Sequence, residues 1–418
     1  MGKLEIRQAA LKRQGTVVNA SGRAFRIHGD QRQANFDSGS EGLVHFSTDV
    51  QTGSDFRIKC FWEPTDDRLR RSQILVKRQL SNGAKTMADA LGGAPLQLLG
   101  RLGPETPFAV VMKSVRGVSW DRLRERAEAD TRYPPRDWPP MQVRATWAYG
   151  LATAVKAMEA RQFVHADLSP GNVVVTPEGG TAGDMALVDF DGFIDIANGE
   201  LHPPVRGSNG YASAEMWNDR TGTIGSDRVG MAILIQEFLT IGDATITKDE
   251  AFRWAYQQET EIVTRTAEPH PLLAKKYPEL AELLVATLRA RDPGRRADPD
   301  EWRRILMAVV DGRPLNPPLA DIVIEPHPMK DPATRLTFSA SDVALDLSQT
   351  NFGIRATIER LPAGNLRVVV HDGAELRVQK AGSSHWDTYA AQQSVGVVPG
   401  LTLFDRQGKM TARITARA

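Results

Sequence analysis

The sequence has only one cysteine, Cys60, among 418 residues. A single thiol excludes an intramolecular disulfide framework, and with scattered histidines it leaves no spacing typical of a structural zinc site. A lone cysteine is more often a small buried apolar residue than a reactive thiol. We therefore expect Cys60 to be buried and the chain to reside in a reducing compartment.

Long apolar runs and an excess of either charge are also missing. No stretch approaches the roughly 18 consecutive apolar residues of a membrane span, and the first residues lack the apolar core of a secretion signal. Lys and Arg number 52 against 51 Asp and Glu, so the bulk charge indicates neither nucleic acid nor an acidic membrane as a partner. We expect a cytoplasmic protein.

Three patterns follow one another along the chain. Short β runs dominate from 15 to 115, with one predicted helix over 66–80, and helical periodicity dominates from 141 to 312. Residues 313–332 are rich in proline, which removes backbone donors, and we predict a linker without regular structure there. Apolar β runs separated by turns then predict a small antiparallel sandwich over 333–418.

The most informative positions are His165, Asp167 and Asn172 in the string His-Ala-Asp-Leu-Ser-Pro-Gly-Asn, followed by Asp189 in Asp-Phe-Asp-Gly. Their order and spacing resemble the catalytic and metal-binding loops of the protein kinase-like superfamily. The resemblance implies that Asp167 orients the acceptor hydroxyl. It also implies that Asn172 and Asp189 hold Mg²⁺, or Mn²⁺, against the phosphates of ATP.

The same resemblance implies a fold of the α+β class. A bilobal protein kinase-like domain, with a β-rich N-lobe and a helical C-lobe, is followed by a small all-β sandwich. The expected boundaries are an N-terminal extension at 1–29, the N-lobe at 30–115, the C-lobe at 116–312, the linker at 313–332 and the sandwich at 333–418.

Residues upstream match the nucleotide-binding half of the family. Gly39, Gly42 and Val44 correspond to the end of its phosphate-covering loop, with Asp37 where the first glycine is usual, and Lys59 lies on the next predicted strand. The resemblance implies that the glycines let backbone N–H groups approach phosphate oxygens. It implies in addition that Lys59 acts in catalysis by holding the α- and β-phosphates.

Met112, at the end of an apolar strand, resembles the gatekeeper position of the family. Lys113 and Val115 follow it in the hinge that reads adenine through backbone groups. A plain core methionine fits the same pattern, because methionine fills irregular apolar gaps.

Further matches lie in the C-lobe: Glu215 at the end of an activation segment, Asp227 at the start of an apolar helix, and Arg296 in a late Asp-Pro-Gly-Arg-Arg motif. The resemblance implies that Glu215 and Arg296 form a buried ion pair, which matters more to folding than to chemistry.

Several positions depart from the family. Ala166 replaces the arginine that grips a phosphorylated activation loop, and 190–215 contains no threonine, so activation by loop phosphorylation is not expected. Ser169 replaces a common lysine, and its surroundings are closer to RIO and other atypical kinases and to small-molecule phosphotransferases. The Asp-Phe-Asp-Gly motif, in which Asp191 is the third residue, resembles that of certain atypical bacterial kinase-like proteins. Asp191 is either a second metal ligand or a solvated or helix-capping carboxylate.

The helix glutamate that pairs with the lysine in this family has no counterpart, because residues 64–104 contain no glutamate. Gln73 is our candidate partner for Lys59. We interpret Asp66 and Asp67 as carboxylates of the first helical turn, where the helix dipole favours them.

The C-terminal sandwich faintly resembles a forkhead-associated domain in three runs that begin at Gly353, Val368 and Val398. The Gly-Arg pair and the Ser-x-x-His motif with which that family reads phosphothreonine are not at the matching places. We therefore do not carry over phosphopeptide binding, and expect a domain that binds a protein partner or covers the lobe.

The leading hypothesis is an ATP- and Mg-dependent phosphotransferase, a serine/threonine protein kinase that acts on a protein substrate without activation-loop phosphorylation. Retention of Lys59, Asp167, Asn172 and Asp189 favours activity. The missing helix glutamate favours the alternative, a pseudokinase scaffold that binds nucleotide or partners. The string around Ser169 keeps a small-molecule kinase open.

Overall fold

The computed structural model describes most of the chain. The described residues are 13, 15–20, 22–28, 36–38, 42–80, 90–102, 106–178, 184–198, 207–219, 221–252, 262, 265–311, 322–326, 336–338, 344–350, 354–360, 366–379, 386–391, 393–397, 401–405 and 410–416. Contacts divide the chain into two compact units, Met1–Arg313 and Pro314–Ala418, and each is treated by itself.

The N-lobe of the first unit is built on a seven-stranded antiparallel sheet. Its strands are β1 (Val17–Ala20), β2 (Arg23–Ile27), β3 (Phe36–Ser38), β4 (Gly42–Asp49), β5 (Asp55–Phe61), β6 (Pro95–Leu99) and β7 (Ala109–Lys113). They pair in the order β1-β2-β4-β5-β7-β6, and β3 pairs with β4 as well. Alternate residues along β4 are buried, as expected of a strand with one face on a core.

The prediction of an N-terminal extension over 1–29 is wrong for 17–20 and 23–27, because β1 and β2 belong to this sheet. β2 pairs with β4, and Phe25 and Ile27 pack with Phe56 and Ile58 in one apolar cluster. Alternating apolar residues in a short strand can be buried only against a partner, and here the partner lies farther along the chain. Cys60, in the same cluster, is buried as predicted.

Seven α-helices have both of their ends within the described residues. They are α1 (Asp66–Arg78), α2 (Trp120–Ala129), α3 (Met141–Glu159), α4 (Asp227–Thr240), α5 (Pro271–Lys276), α6 (Pro278–Arg289) and α7 (Pro299–Val310). Every residue of α4 is buried, and α3, α5 and α6 pack around it. An apolar sequence on all sides of a helix is typical of this enclosed position.

The helix predicted over 66–80 is α1, which ends two residues earlier, before the left-handed residue Gln79. The side chain of Thr65 accepts the N–H of Arg68 and begins the helix. Asp66 and Asp67 lie in the first turn, as predicted.

Short strands lie between the helices of the C-lobe and flank its loops. They are β8 (Val118–Ser119), β9 (Phe163–Val164), β10 (Val173–Val175), β11 (Met185–Leu187) and β12 (Ile194–Asp195). β10 pairs with β8 and β11, while β9 pairs with β12, so the segments 165–172 and 188–193 leave neighbouring strand ends.

The second unit is an all-β sandwich. Its strands are β13 (Ile322–Pro326), β14 (Leu336–Phe338), β15 (Ala344–Asp346), β16 (Ala356–Arg360), β17 (Leu366–Val370), β18 (Glu375–Gln379), β19 (Asp387–Ala390), β20 (Ser394–Gly396), β21 (Thr402–Phe404) and β22 (Met410–Ala416). One sheet has the order β14-β13-β22-β21-β18-β19 and the other β15-β16-β17-β20. Residues of both sheets, among them Ile324, Ile358, Val368 and Leu403, form one buried core.

The prediction that 313–332 holds no regular structure is wrong for 322–326, which form β13. This strand pairs with β22 along its length, whereas β14 covers only Ile322–Ile324. Pro326 lies beyond the end of β14, where its missing N–H is not needed by a second neighbour. The rest of the predicted linker lies outside the described residues.

Candidate active site

The loop that contains Asp167 is hydrogen-bonded to the first residue of α4. The carboxylate of Asp227 accepts the backbone N–H groups of His165, at 2.6 Å, and of Ala166, at 2.9 Å. Ala166 has a φ of 66°, a left-handed conformation that costs energy in a residue with a side chain. The ring Nε2 of buried His165 lies 3.1 Å from the carbonyl oxygen of Val188 and joins this loop to the segment before Asp189.

Asp167 is oriented by a hydrogen bond to each carboxylate oxygen. Asn172 donates its side-chain N–H to Oδ2 at 2.9 Å, and Ser208 donates its hydroxyl to Oδ1 at 2.7 Å. The carboxylate is partly exposed, so it has a fixed direction and an accessible face. Ser208 was not singled out from the sequence, although it precedes Glu215 in the stretch that resembles the end of an activation segment.

Asn172 and Asp189 are brought together by the pairing of β10 and β11. Val173 lies opposite Leu187, and the N–H of Val188 donates to the carbonyl oxygen of Asn172 at 3.0 Å. Because the Asn172 amide nitrogen is turned to Asp167, its oxygen is the atom left to face a cation.

An amide oxygen and a carboxylate suit Mg²⁺, which is usually held by one or two protein carboxylates together with substrate phosphates. No cluster of three or more His, Cys, Asp or Glu side chains suited to a metal ion occurs within the described part of the chain. Asn172 and Asp189 supply one amide oxygen and one carboxylate, a donor set that fits Mg²⁺.

Lys59 reaches from the N-lobe to this segment. Its Nζ lies 2.7 Å from Oδ1 of Asp189 and 2.6 Å from Oδ2 of Asp191, and its side chain is 10% exposed. Burial by itself lowers the pKa of Lys59, but the charges and hydrogen bonds of Asp191 and Asp189 outweigh it, and the pKa lies above its ordinary value. Lys59 is thus a cation held between two carboxylates.

Gln73 is not the partner of Lys59, so this prediction is wrong. Its side chain is exposed on α1, whereas Lys59 is bonded to Asp189 and Asp191. Asp191 is neither solvated nor a helix cap in this arrangement, because its side chain is 20% exposed and bonded to the lysine. The sequence leaves the role of Asp191 open and does not indicate that it is the second carboxylate bonded to Lys59.

Three of the predicted nucleotide-binding residues, Gly42, Val44 and Lys59, lie on neighbouring strands of the N-lobe sheet. Val44 on β4 stands opposite Lys59 on β5, so their side chains share one face of the sheet. Gly42 approaches β5 so closely that a Cβ there would lie 2.5 Å from the carbonyl oxygen of Cys60. Gly39 lies outside the described residues.

The predicted hinge begins at the end of β7. Met112 is half-buried on this strand, Lys113 is exposed, and Val115 follows after the strand has ended. The N–H of Ser114 donates to the carbonyl oxygen of Asp55, which ties the start of the hinge to β5.

The predicted ion pair of the C-lobe is present. Arg296 donates from Nη1 and Nη2 to the two carboxylate oxygens of Glu215, both at 2.7 Å. Ser226 also donates to Glu215, at 2.9 Å, and Arg296 donates to the carbonyl oxygen of Gly225, at 3.0 Å.

No protein-family model matches the chain, and no curated protein is similar to it in sequence. Solved structures do match, among them the ROP18 kinase domain in complex with AMP-PNP and sucrose, with a TM-score of 0.53 and 18% sequence identity. The match covers 74% of this chain and 88% of the other. The fold is therefore α+β, with a protein kinase-like part and an all-β C-terminal sandwich. The resemblance of that sandwich to a forkhead-associated domain stays a prediction.

No helix in the described ranges combines the length and apolar character needed to cross a membrane.

Proposed function

We propose that the chain is an ATP-dependent phosphotransferase whose site is formed by Lys59, Asp167, Asn172 and Asp189. One contact carries the proposal: Lys59, from the sheet of the N-lobe, bonds at 2.7 Å to Asp189, which a single hydrogen-bonded strand pair joins to Asn172. Phosphoryl transfer is catalysed mainly by positioning and charge neutralisation, and this set supplies a cation, metal ligands and a carboxylate for the acceptor.

Each residue has a separate task in this proposal. Lys59 holds the α- and β-phosphates, and Asn172 and Asp189 hold Mg²⁺, which neutralises charge on the phosphate oxygens when it is bound. Asp167 accepts the hydrogen bond of the acceptor hydroxyl and directs its oxygen to the γ-phosphorus. The hydroxyl oxygen forms a bond to that phosphorus while the bond between the phosphorus and the bridging oxygen breaks. The electron pair of the broken bond leaves with ADP, and the hydroxyl proton passes to the Asp167 carboxylate.

The ROP18 kinase domain was solved with AMP-PNP, and we propose that this chain binds ATP in the matching cleft, with Gly39, Gly42 and Val44 over the phosphates and the hinge at Met112–Val115 on the base. A serine or threonine of a protein is the proposed acceptor. The fixed direction of Asp167, held by Asn172 and Ser208, requires no phosphorylated loop residue.

The test is transfer of labelled phosphate from γ-labelled ATP, with Mg²⁺ or Mn²⁺, to the protein itself and to a generic protein substrate. Asp167→Asn keeps the size of the side chain and is expected to abolish the label, while Asp121→Asn, at an exposed position on α2, is expected to keep it. Label that persists in Asp167→Asn would contradict the assignment.

A pseudokinase scaffold is the second candidate, because no carboxylate of α1 reaches Lys59 in the part of the chain that the structure describes. The two candidates differ in a simple way. A rise in melting temperature with Mg·ATP and no transfer to any acceptor would favour a nucleotide-binding scaffold, and no rise would favour one that binds no nucleotide.

A further inference from the structure

The face of α1 that meets the C-lobe is basic. Arg68, Arg71 and Arg78 lie three and seven residues apart, which places them along one side of the helix, with Leu75 buried between them. In the family that this chain resembles, the corresponding helix contributes a carboxylate. Here the positive charges are on the helix, and the negative charges must come from the segment it faces.

All three arginines contact the segment that starts at Asp189. Arg68 Nη1 lies 4.0 Å from Oδ2 of Asp191. Arg71 donates to the backbone oxygen of Asp191 and, at 3.2 Å, to that of Phe193. Its guanidinium also lies 5.1 Å from the centre of the Phe193 ring. The helix therefore holds Asp191 by both its side chain and its backbone.

Arg78 extends the same contact to the end of the segment. It donates to the buried carboxylate of Asp195 at 2.6 Å and to the carbonyl oxygen of Arg161 at 2.9 Å. Because these bonds span the full length of α1, a shift of the helix would move the segment that carries Asp191.

Lys59 needs two carboxylates if one of them is to bind a metal. In the proposed function Asp189 is a metal ligand, and a carboxylate shared with Mg²⁺ holds an ammonium group less strongly. Asp191 Oδ2 lies 2.6 Å from Lys59 Nζ, and this contact would keep the lysine paired if Asp189 bound the metal.

We propose that Asp191 is the positioning residue for Lys59, and that Arg68 and Arg71 hold it in place from α1. This inference rests on the proposed function for its catalytic meaning, whereas the pairing of Asp191 with Lys59 can be tested by itself. The lysine is then oriented by the metal-binding segment and not by a carboxylate on the helix. A role for Asp191 as a second metal ligand is the competing account, and it predicts different results.

The first test needs no nucleotide and no activity. Lys59 is acylated with a small amine-reactive reagent in the full-length protein, and its rate of labelling is followed by mass spectrometry. Asp191→Asn removes a charged acceptor that lies 2.6 Å from Nζ and leaves Asp189 as the remaining carboxylate partner, so we expect labelling to rise at least about tenfold, as for the loss of one charge-assisted hydrogen bond. Asp191→Glu is expected to restore most of the protection, and Arg70→Ala, at an exposed arginine of the same helix, to leave the rate unchanged.

The second test measures the affinity for Mg·ATP and, where transfer occurs, kcat. We expect Asp191→Asn to weaken binding or lower kcat by at least about tenfold, since charge-assisted hydrogen bonds are strong, with the Mg²⁺ concentration for half-saturation unchanged. On a Lys59→Met background the same substitution is expected to add little, because the two residues act as a unit. Arg71→Ala is expected to change both measurements in the same direction by less.

The outcomes separate the inference from the proposed function. Unchanged labelling of Lys59 in a folded Asp191→Asn protein would overturn the inference even if the enzyme is active. A raised Mg²⁺ requirement, or effects that add fully in the double variant, would overturn it in favour of a metal ligand. Wild-type protein that transfers no phosphate would refute the proposed function, while the labelling result would still decide the pairing.

Discussion

Removal of Arg296 is expected to destabilise the first unit strongly. The guanidinium is 1% exposed, and Arg296→Met deletes two hydrogen bonds to Glu215 and one to the carbonyl oxygen of Gly225. Glu215, 12% exposed, would keep the hydroxyl of Ser226 as a donor but lose its counter-ion. Breaking a buried pair by removing one partner costs about 3–5 kcal/mol, because a charge is left buried and unpaired.

The acidity of Glu215 provides a second signature. Burial by itself raises the pKa of this carboxyl, but the hydrogen bonds and charge of Arg296 outweigh it, and the pKa lies below its ordinary value. A lowered folded-state pKa gives stability that is complete above the ordinary pKa of glutamate, about 4.3, and is lost as pH falls through the folded value. The stability difference between wild type and Arg296→Met should therefore shrink under acid conditions.

Urea unfolding of the full chain, followed by tryptophan fluorescence, measures this effect where it occurs. Seven of the eight tryptophans precede residue 314, and only Trp386 lies in the second unit. Arg295→Ala is the matched control, because that neighbouring side chain is 85% exposed and its loss should change the unfolding free energy by less than about 0.5 kcal/mol.

The double variant completes the test. Arg296→Met with Glu215→Gln should be less destabilised than the sum of the single variants, since the second change removes the charge that the first one strands. Equal effects of Arg296→Met and Arg295→Ala, or strict additivity in the double variant, would refute the idea that a buried ion pair supports this lobe.

Two further predictions concern the N-lobe sheet. Burial, and to a smaller extent the charge of Arg13, lower the pKa of His45 from 6.5 to about 4, so the folded state favours the neutral ring. Stability should fall between pH 6.5 and about 4, by up to about 3 kcal/mol; urea midpoints of His45→Leu should lack this decline, and an equal decline would count against the assignment. Gly42→Ala should cost about 1–3 kcal/mol and weaken Mg·ATP binding, because its Cβ would lie 2.5 Å from a carbonyl oxygen of β5. Gly100→Ala, with open space around its Cβ, is the control, and equal melting temperatures would contradict the prediction.

The parts of the fold that could be predicted from sequence are those decided by neighbouring residues. The helix over 66–80 is indicated by Thr65 and the two aspartates that follow it. Helix α4 is indicated by a run that is apolar on every side. The loop of Asp167 and Asn172 is equally local, because a separation of five positions leaves few ways to place a carboxylate and an amide together.

Domain boundaries failed where a strand is completed by a distant partner. The local sequence of β2 predicts an extension, because its partner β4 lies farther along the chain. The local sequence of β13 predicts a linker, because its partner β22 lies near residue 413. The proline content argues against a strand at 322–326. Pro326, however, lies beyond the end of β14, where the N–H group that proline lacks is not needed by a second neighbouring strand. No local pattern reveals which segments will meet in this way.

The partner of Lys59 could not be found by looking for the usual residue type in the usual helix. A buried ammonium group requires carboxylates but does not prescribe which element supplies them, and Asp191 is 132 residues away in sequence. A signal was nevertheless present: α1 carries arginines on its inward face, and Asp191 and Asp195 are spaced to meet them. When a helix expected to carry a carboxylate is basic instead, the acidic residues it faces are where the missing charge should be sought.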